Sequence, residues 1–141
     1  MADEHSLPID AIEAVTRSTF QDRQRSVVIA PTGSGKSTRL PGWAADELGC
    51  RVVVVEPRRV ACRSLARFLS RTRGEKVGQY YGYSVRFDAR YSDQTRVVFV
   101  TPGVALNWLI DGQLAGCAVI LDEFHERSVD NDLLAATLLT D

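Results

Sequence analysis

The sequence predicts an α/β fold built on a doubly wound, mostly parallel sheet. Three observations lead there. Short β-branched runs recur along the chain, as in Ser26–Ala30, Arg51–Glu56, Arg96–Thr101 and Ala118–Glu123. Helical stretches separate them. The runs are apolar throughout rather than alternating, which marks strands covered on both faces by helical crossovers.

In order, Leu7–Phe20 places apolar residues at Ile9, Ala11, Ile12, Ala14 and Val15 and reads as a helix. Ser26–Ala30 is a buried strand. A glycine loop follows, then a helix from Lys36 to Leu48 with Pro41 inside it and Gly49 as its stop. Arg51–Glu56 is the second strand, ended by Pro57. The helix Arg59–Arg71 is expected to bury Ala61, Leu65, Phe68 and Leu69. Residues 72–95, rich in Gly, Tyr and polar side chains, hold a short strand near Tyr83–Phe87. Arg96–Thr101 is a strand, Val104–Ile110 a helix, Ala118–Glu123 a strand and Asp130–Leu139 a final helix. No strand follows that helix, so the sheet reads as incomplete at its C-terminal end.

The chain has 141 residues, enough for one core. No apolar run approaches the ~20 residues of a membrane span, and the acidic start carries no secretion signal. Cys50, Cys62 and Cys117 are scattered without a CxxC pair, as expected of buried, reduced thiols in a cytoplasmic protein. Net charge is −1, yet residues 51–96 hold eleven Lys/Arg against four Asp/Glu. That local excess of +7 is a candidate polyanion surface, or else a solvated helix face.

Two motifs carry chemistry. Ala30-Pro-Thr-Gly-Ser-Gly-Lys-Ser-Thr38 fits the phosphate-binding P-loop except at its first position, where Ala30 replaces Gly. Gly33 and Gly35 let the backbone turn tightly, so that amides from Thr32 through Thr38, Ser34 included, face an anion at a helix N-terminus. Lys36 reaches the β- and γ-phosphates of a nucleotide, and the Ser37 hydroxyl binds Mg2+. The second motif is Val119-Ile-Leu-Asp-Glu-Phe-His-Glu-Arg127, an apolar strand ending in two acids. Strand carboxyl ends face the ligand in such sheets, so Asp122 would hold Mg2+ through water and Glu123 would orient or deprotonate the attacking water. His125 is better suited to sensing the phosphate site than to metal binding. Together the motifs specify a P-loop NTPase that uses ATP and Mg2+.

Further segments carry a family resemblance. Asp122-Glu-Phe-His-Glu-Arg127 resembles the DEAH signature of superfamily 2 helicases, with Phe124 in the usual Ala place. Glu56-Pro-Arg-Arg-Val-Ala61 resembles motif Ia, Thr101-Pro-Gly-Val-Ala-Leu106 motif Ib, and Gly82-Tyr-Ser-Val-Arg-Phe-Asp88 the hook-turn that contacts RNA. Leu40-Pro41 after the P-loop also fits. The match covers nearly all of the chain from Leu7 and is most similar to the DEAH/RHA group of RNA helicases, the bacterial HrpB type within it. The resemblance implies a RecA-like fold over residues 1–141, the first of two such domains, stopping before motif III and without the second. It implies that Arg58 or Arg59, Arg86 and Thr101 grip the phosphates of single-stranded RNA, with DNA left open and no membrane partner. In the family an Arg late in the motif Ia helix stacks on adenine. Phe68 falls there in this chain, with Arg67 and Arg71 nearby.

Three functional readings follow. In the first, the chain is the N-terminal piece of an ATP-dependent RNA helicase, fully active only with the rest of the polypeptide. In the second, it is an isolated nucleotide- and RNA-binding module with little turnover. In the third, it is another P-loop enzyme, such as a kinase or a DNA-repair ATPase, although a small-molecule kinase would have no use for a strand-gripping arginine pair.

Overall fold

The computed structural model describes residues 7–22, 35–122 and 129–140. The strand expected over Ser26–Ala30 lies outside them, as do Thr32, Gly33, Ser34, Glu123 and His125. The described residues fall into two compact units, one ending at Gly49 and one beginning at Cys50.

In the first unit the expected N-terminal helix divides into a 3-10 turn, Pro8–Ile12, and helix α1, Glu13–Asp22. Pro8 supplies the fixed φ that suits a first helical position. The Asp10 carboxylate accepts the Leu7 N–H at 2.9 Å, closing the turn. Helix α2 spans Lys36–Leu48, as the sequence predicts. Gly49 ends it at φ 65°, donating its N–H to the Ala45 carbonyl. Ile9, Leu40 and Trp43 form a small core with Leu7 and Phe20 packed against it. Arg17 links the helices, meeting Glu13 at 2.8 Å, Glu47 at 3.2 Å and Asp46 at 3.4 Å. These contacts are part-exposed, so register rather than large stabilisation is their effect.

The second unit is a five-stranded sheet with β1 Val52–Val55, β2 Tyr81–Val85, β3 Asp88–Arg90, β4 Val97–Val100 and β5 Ala118–Leu121. The order is β3-β2-β4-β1-β5. All pairings are parallel except β2 with β3. Helices α3 Arg59–Thr72, α4 Pro102–Ile110 and α5 Val129–Thr140 complete it. On one face Val53, Val55, Val98 and Val100 pack with Ala105, Trp108, Leu114 and Leu134. The opposite face carries Val52, Val54, Val97 and Phe99, all fully buried, and α3 packs on β2 and β4. Both faces of β1 and β4 are therefore covered, which is why their sequences are unbroken valine runs. Strand β5 lies at the sheet edge among the described residues and is only half-buried along its length.

Three expectations need correction. Helix α3 buries Cys62, Ala66, Leu69 and Ser70. Phe68 is half-exposed, and Ala61 and Leu65 lie on the flank. At 100° per residue the buried positions form one stripe. It is lined by small side chains because the sheet beneath supplies the bulk, through Tyr83 and Phe99. The strand expected near Tyr83–Phe87 begins earlier, at Tyr81, and turns at Arg86 and Phe87 into β3, a strand too short and polar to show in the sequence. Of the three thiols, only Cys62 is fully buried, although all three are free.

Candidate nucleotide and nucleic-acid site

Of the phosphate loop, Gly35 to Thr38 are described. Gly35 is the N-cap of α2 at φ 101°, a conformation that side-chain-bearing residues avoid. A Cβ there would also press on Leu7, 2.6 Å from its Cδ1 and 3.0 Å from its Cβ, so that side chain would have to shift, while the backbone conformation alone already calls for glycine. The Gly35 carbonyl accepts the N–H groups of Thr38, at 3.2 Å, and Arg39, at 2.9 Å. Lys36, Ser37 and Thr38 form the first turn of α2 and are half-buried. The leading N–H groups of a helix have no intrahelical acceptor, and its dipole places positive potential there. Arg39 pairs with Asp10 at 3.1 Å, tying this turn to the N-terminal segment.

In the second unit, the predicted residues emerge at one edge of the sheet. Register aligns Val55 with Val100 and with Leu121, and Val100 with Ser84. The chain leaves β1 into Glu56 and Pro57, leaves β4 into Thr101, leaves β5 into Asp122 and leaves β2 towards Arg86. All four are carboxyl ends of parallel strands, where open α/β sheets place their ligands. Asp122 continues the ladder by donating its N–H to the Val55 carbonyl at 3.0 Å, so its half-buried side chain stands at the end of β5, fixed against β1. Glu56 is buried and donates its N–H to the Val100 carbonyl at 2.8 Å.

Beside that edge runs an open cleft of about 800 Å³ whose lining includes Arg59, Arg86, Thr101, Asn107 and Asp130. Three of the four predicted phosphate-gripping residues therefore share one cavity. The fourth, Arg58, is exposed at the N-cap of α3 and outside the lining. Arg59 Nη2 donates to the Arg86 carbonyl at 3.0 Å, joining α3 to the β2–β3 turn. The Asp88 carboxylate then accepts from the Tyr83 hydroxyl at 2.9 Å and from Arg63 Nε at 3.0 Å. The Tyr83 hydrogen bond, with Arg63 beside it, holds the Asp88 carboxyl below its ordinary range.

Sequence reading missed this latch, because its members are scattered through residues 63–88 and only pairing brings them together. It also missed Asp130, an acid lining a basic cleft, and Asn107. Cys62 is inert by placement: burial pushes its thiol up to about 12. Among the described residues no cluster of three or more metal-ligating side chains occurs, and no helix is long and apolar enough to cross a membrane.

The sheet is that of an open α/β domain, which places its ligands at the carboxyl ends of parallel strands, and the comparisons name the family. The DEAD/DEAH box helicase family matches residues 10–137, and the chain belongs to that family. It is 38% identical over 138 residues to the ATP-dependent RNA helicase HrpB of Escherichia coli strain K12, covering 95% of this chain and 17% of that protein. It is 35% identical over 141 residues to the DExH-box ATP-dependent RNA helicase DExH1 of Arabidopsis thaliana, covering 94% of this chain and 14% of that protein. The crystal structure of the Escherichia coli DEAH/RHA helicase HrpB superposes with a TM-score of 0.87 at 38% identity, covering 96% of this chain and 18% of that one. The chain thus spans less than a fifth of the length of these relatives.

Proposed function

We propose that this chain is the first RecA-like, ATP-binding domain of an ATP-dependent RNA helicase, coupling ATP hydrolysis to movement on single-stranded RNA. The observation that carries the reading is the emergence of Asp122, Thr101, Arg59 and Arg86 at one carboxyl edge of a parallel sheet. In this reading the loop Thr32, Gly33, Ser34, Gly35, Lys36, Ser37 and Thr38 cradles the phosphates. Lys36 neutralises the β- and γ-phosphates. Ser37 and Asp122 would hold Mg2+, and their hydroxyl and carboxylate are the hard oxygen donors that ion prefers. Glu123 orients or deprotonates the attacking water, and His125 relays the state of the phosphate site to a neighbouring domain.

Arg58, Arg59, Arg86 and Thr101 hold the strand by its backbone, which accounts for charged and hydroxyl donors with little base readout. The three free thiols suit a reducing cytoplasm. Because the matched relatives are more than five times longer, we assign full turnover and unwinding to this domain acting with the remaining helicase segments. Acting without them, the domain would bind nucleotide and RNA and turn over little. The test is ATP hydrolysis by the whole protein with Glu123→Gln, which keeps shape but removes the base. Loss of a positioned base costs about 10²–10⁴ in rate. The variant should bind ATP normally and fail to hydrolyse it. Near-normal turnover would transfer the role elsewhere.

A further inference from the structure

We propose that Asp10 is a positioning residue for the phosphate loop, holding its last glycine and the first turn of α2 through Arg39, an inference that rests on the nucleotide reading above. The contacts form a closed circuit. Asp10 Oδ1 meets Arg39 Nε at 3.1 Å, while Asp10 Oδ2 accepts the Leu7 N–H at 2.9 Å. The Arg39 backbone N–H in turn donates to the Gly35 carbonyl at 2.9 Å. The Leu7 side chain closes the ring against Gly35, with its Cδ1 2.6 Å from the place a Cβ would take. Ile9 Cγ2 lies 3.3 Å from the same place. One carboxylate thus fixes both the turn that presses on Gly35 and the helix that Gly35 caps.

Each part suits that task. Buried Ile9 joins Leu40 and Trp43 of α2 in one small core, which gives adhesion without direction. The ion pair supplies direction, because the guanidinium is planar and rigid. Gly35 sits at φ 101°, and a glycine left alone visits many other conformations. Leu7 on one side and the Arg39 N–H on its carbonyl restrict it to the one that starts α2. The amides and side chains of Lys36 and Ser37 are aimed by that start. Apparent affinity falls with the fraction of protein in the binding conformation, so a loop exit held ready binds nucleotide more tightly. The Arg39 and Asp10 side chains are 32% and 27% exposed, which makes the pair a modest bias rather than a lock. Electrostatics alone predicts the opposite of positioning. Removing a negative charge beside this turn should then tighten binding of an anion.

The experiment titrates the whole protein with a fluorescent ATP analogue in the presence of Mg2+, and measures the ATP dependence of hydrolysis. Asp10→Asn keeps an oxygen for the Leu7 N–H but removes the charge that Arg39 meets. Arg39→Met keeps the stem and removes the guanidinium. Each should raise Kd and KM roughly 3–5-fold, the factor of a part-exposed ion pair, at full stoichiometry and with kcat unchanged. The double variant should bind no worse than the weaker single one, since both changes break one contact. A merely structural role would instead lower stoichiometry and kcat together and leave Kd unmoved, which would overturn the proposal. Losses that multiply in the double variant, or tighter binding by Asp10→Asn, would overturn it too. If Lys36→Ala loses binding while both single variants bind as wild type, positioning fails and the phosphate-loop reading stands. If Lys36→Ala binds as wild type, that reading fails and positioning with it.

Discussion

Gly82→Ala should destabilise the domain by overpacking, and the structure sets the size of the effect. Gly82 lies within β2, opposite Val98 of β4. A Cβ there would collide with the Arg90 carbonyl oxygen and lie 3.0 Å from Tyr91 Cβ and 3.2 Å from Thr95 Cγ2. None of these can swing aside. Arg90 is backbone of β3, paired with Tyr83. Thr95 donates its hydroxyl to the Gly78 carbonyl at 2.7 Å and accepts the Ser92 N–H at 2.9 Å. Relief requires moving β3 from β2, which places the cost at about 2–3 kcal/mol. For a domain of this size that is a fall of roughly 8–12 °C in melting temperature. Gly112→Ala is the control. Gly112 has φ 80° but no atom within 4 Å of an added Cβ, so it suffers conformational strain alone, about 1 kcal/mol. The assay is thermal unfolding followed by circular dichroism. Gly82→Ala melting within 1–2 °C of wild type, or Gly112→Ala proving the worse, would refute the reasoning.

Other outcomes follow from the same structure. Gly35→Ala should abolish binding of a fluorescent ATP analogue, because both φ 101° and the Leu7 side chain oppose it, whereas Lys36→Ala should abolish binding with unchanged melting temperature. Asp88→Asn should loosen the β2–β3 turn, seen as faster amide exchange at Arg86 and Phe87. The carboxyl is held below its ordinary value of 3.8, so its contribution is full above that value and is lost as pH falls through the lower folded one. Thiol alkylation at pH 8 should modify Cys50 and Cys117 and spare Cys62. With the Cys62 thiol raised to about 12, the unfolded chain ionises first, so stability should fall from about pH 9 upward, and Cys62→Ala should flatten that fall.

Much of the fold is written in local chemistry. Valine runs predict β1 and β4 within a residue or two, because strands buried on both faces can hold nothing else. Gly49 marks the end of α2 because only glycine takes the left-handed cap cheaply. Composition did not give the rotation of α3. Bulky Leu65 and Phe68 look like core, yet the sheet already fills that layer with Tyr83 and Phe99, and small Cys62, Ala66 and Ser70 fit between. At the cleft, charge density drew attention to residues 51–96, and the family resemblance to Arg58 or Arg59 and Arg86 within them. The surface that Arg59 and Arg86 share comes from parallel pairing of β2 and β4, a long-range fact that no window of sequence contains. Asp130 reaches the cleft from α5, more than forty residues after Arg86, for the same reason.

The central claim is that one edge of this sheet joins ATP hydrolysis to a grip on single-stranded nucleic acid. The most direct test is the ATP hydrolysis rate of the whole protein with and without single-stranded RNA, for wild type and for Arg59→Ala with Arg86→Ala. The account predicts that RNA accelerates wild type, and that the double variant keeps its RNA-free rate but loses most of the acceleration. It also predicts that rising salt erases the wild-type response. Acceleration of equal size in wild type and double variant would contradict it, as would a wild-type rate indifferent to RNA.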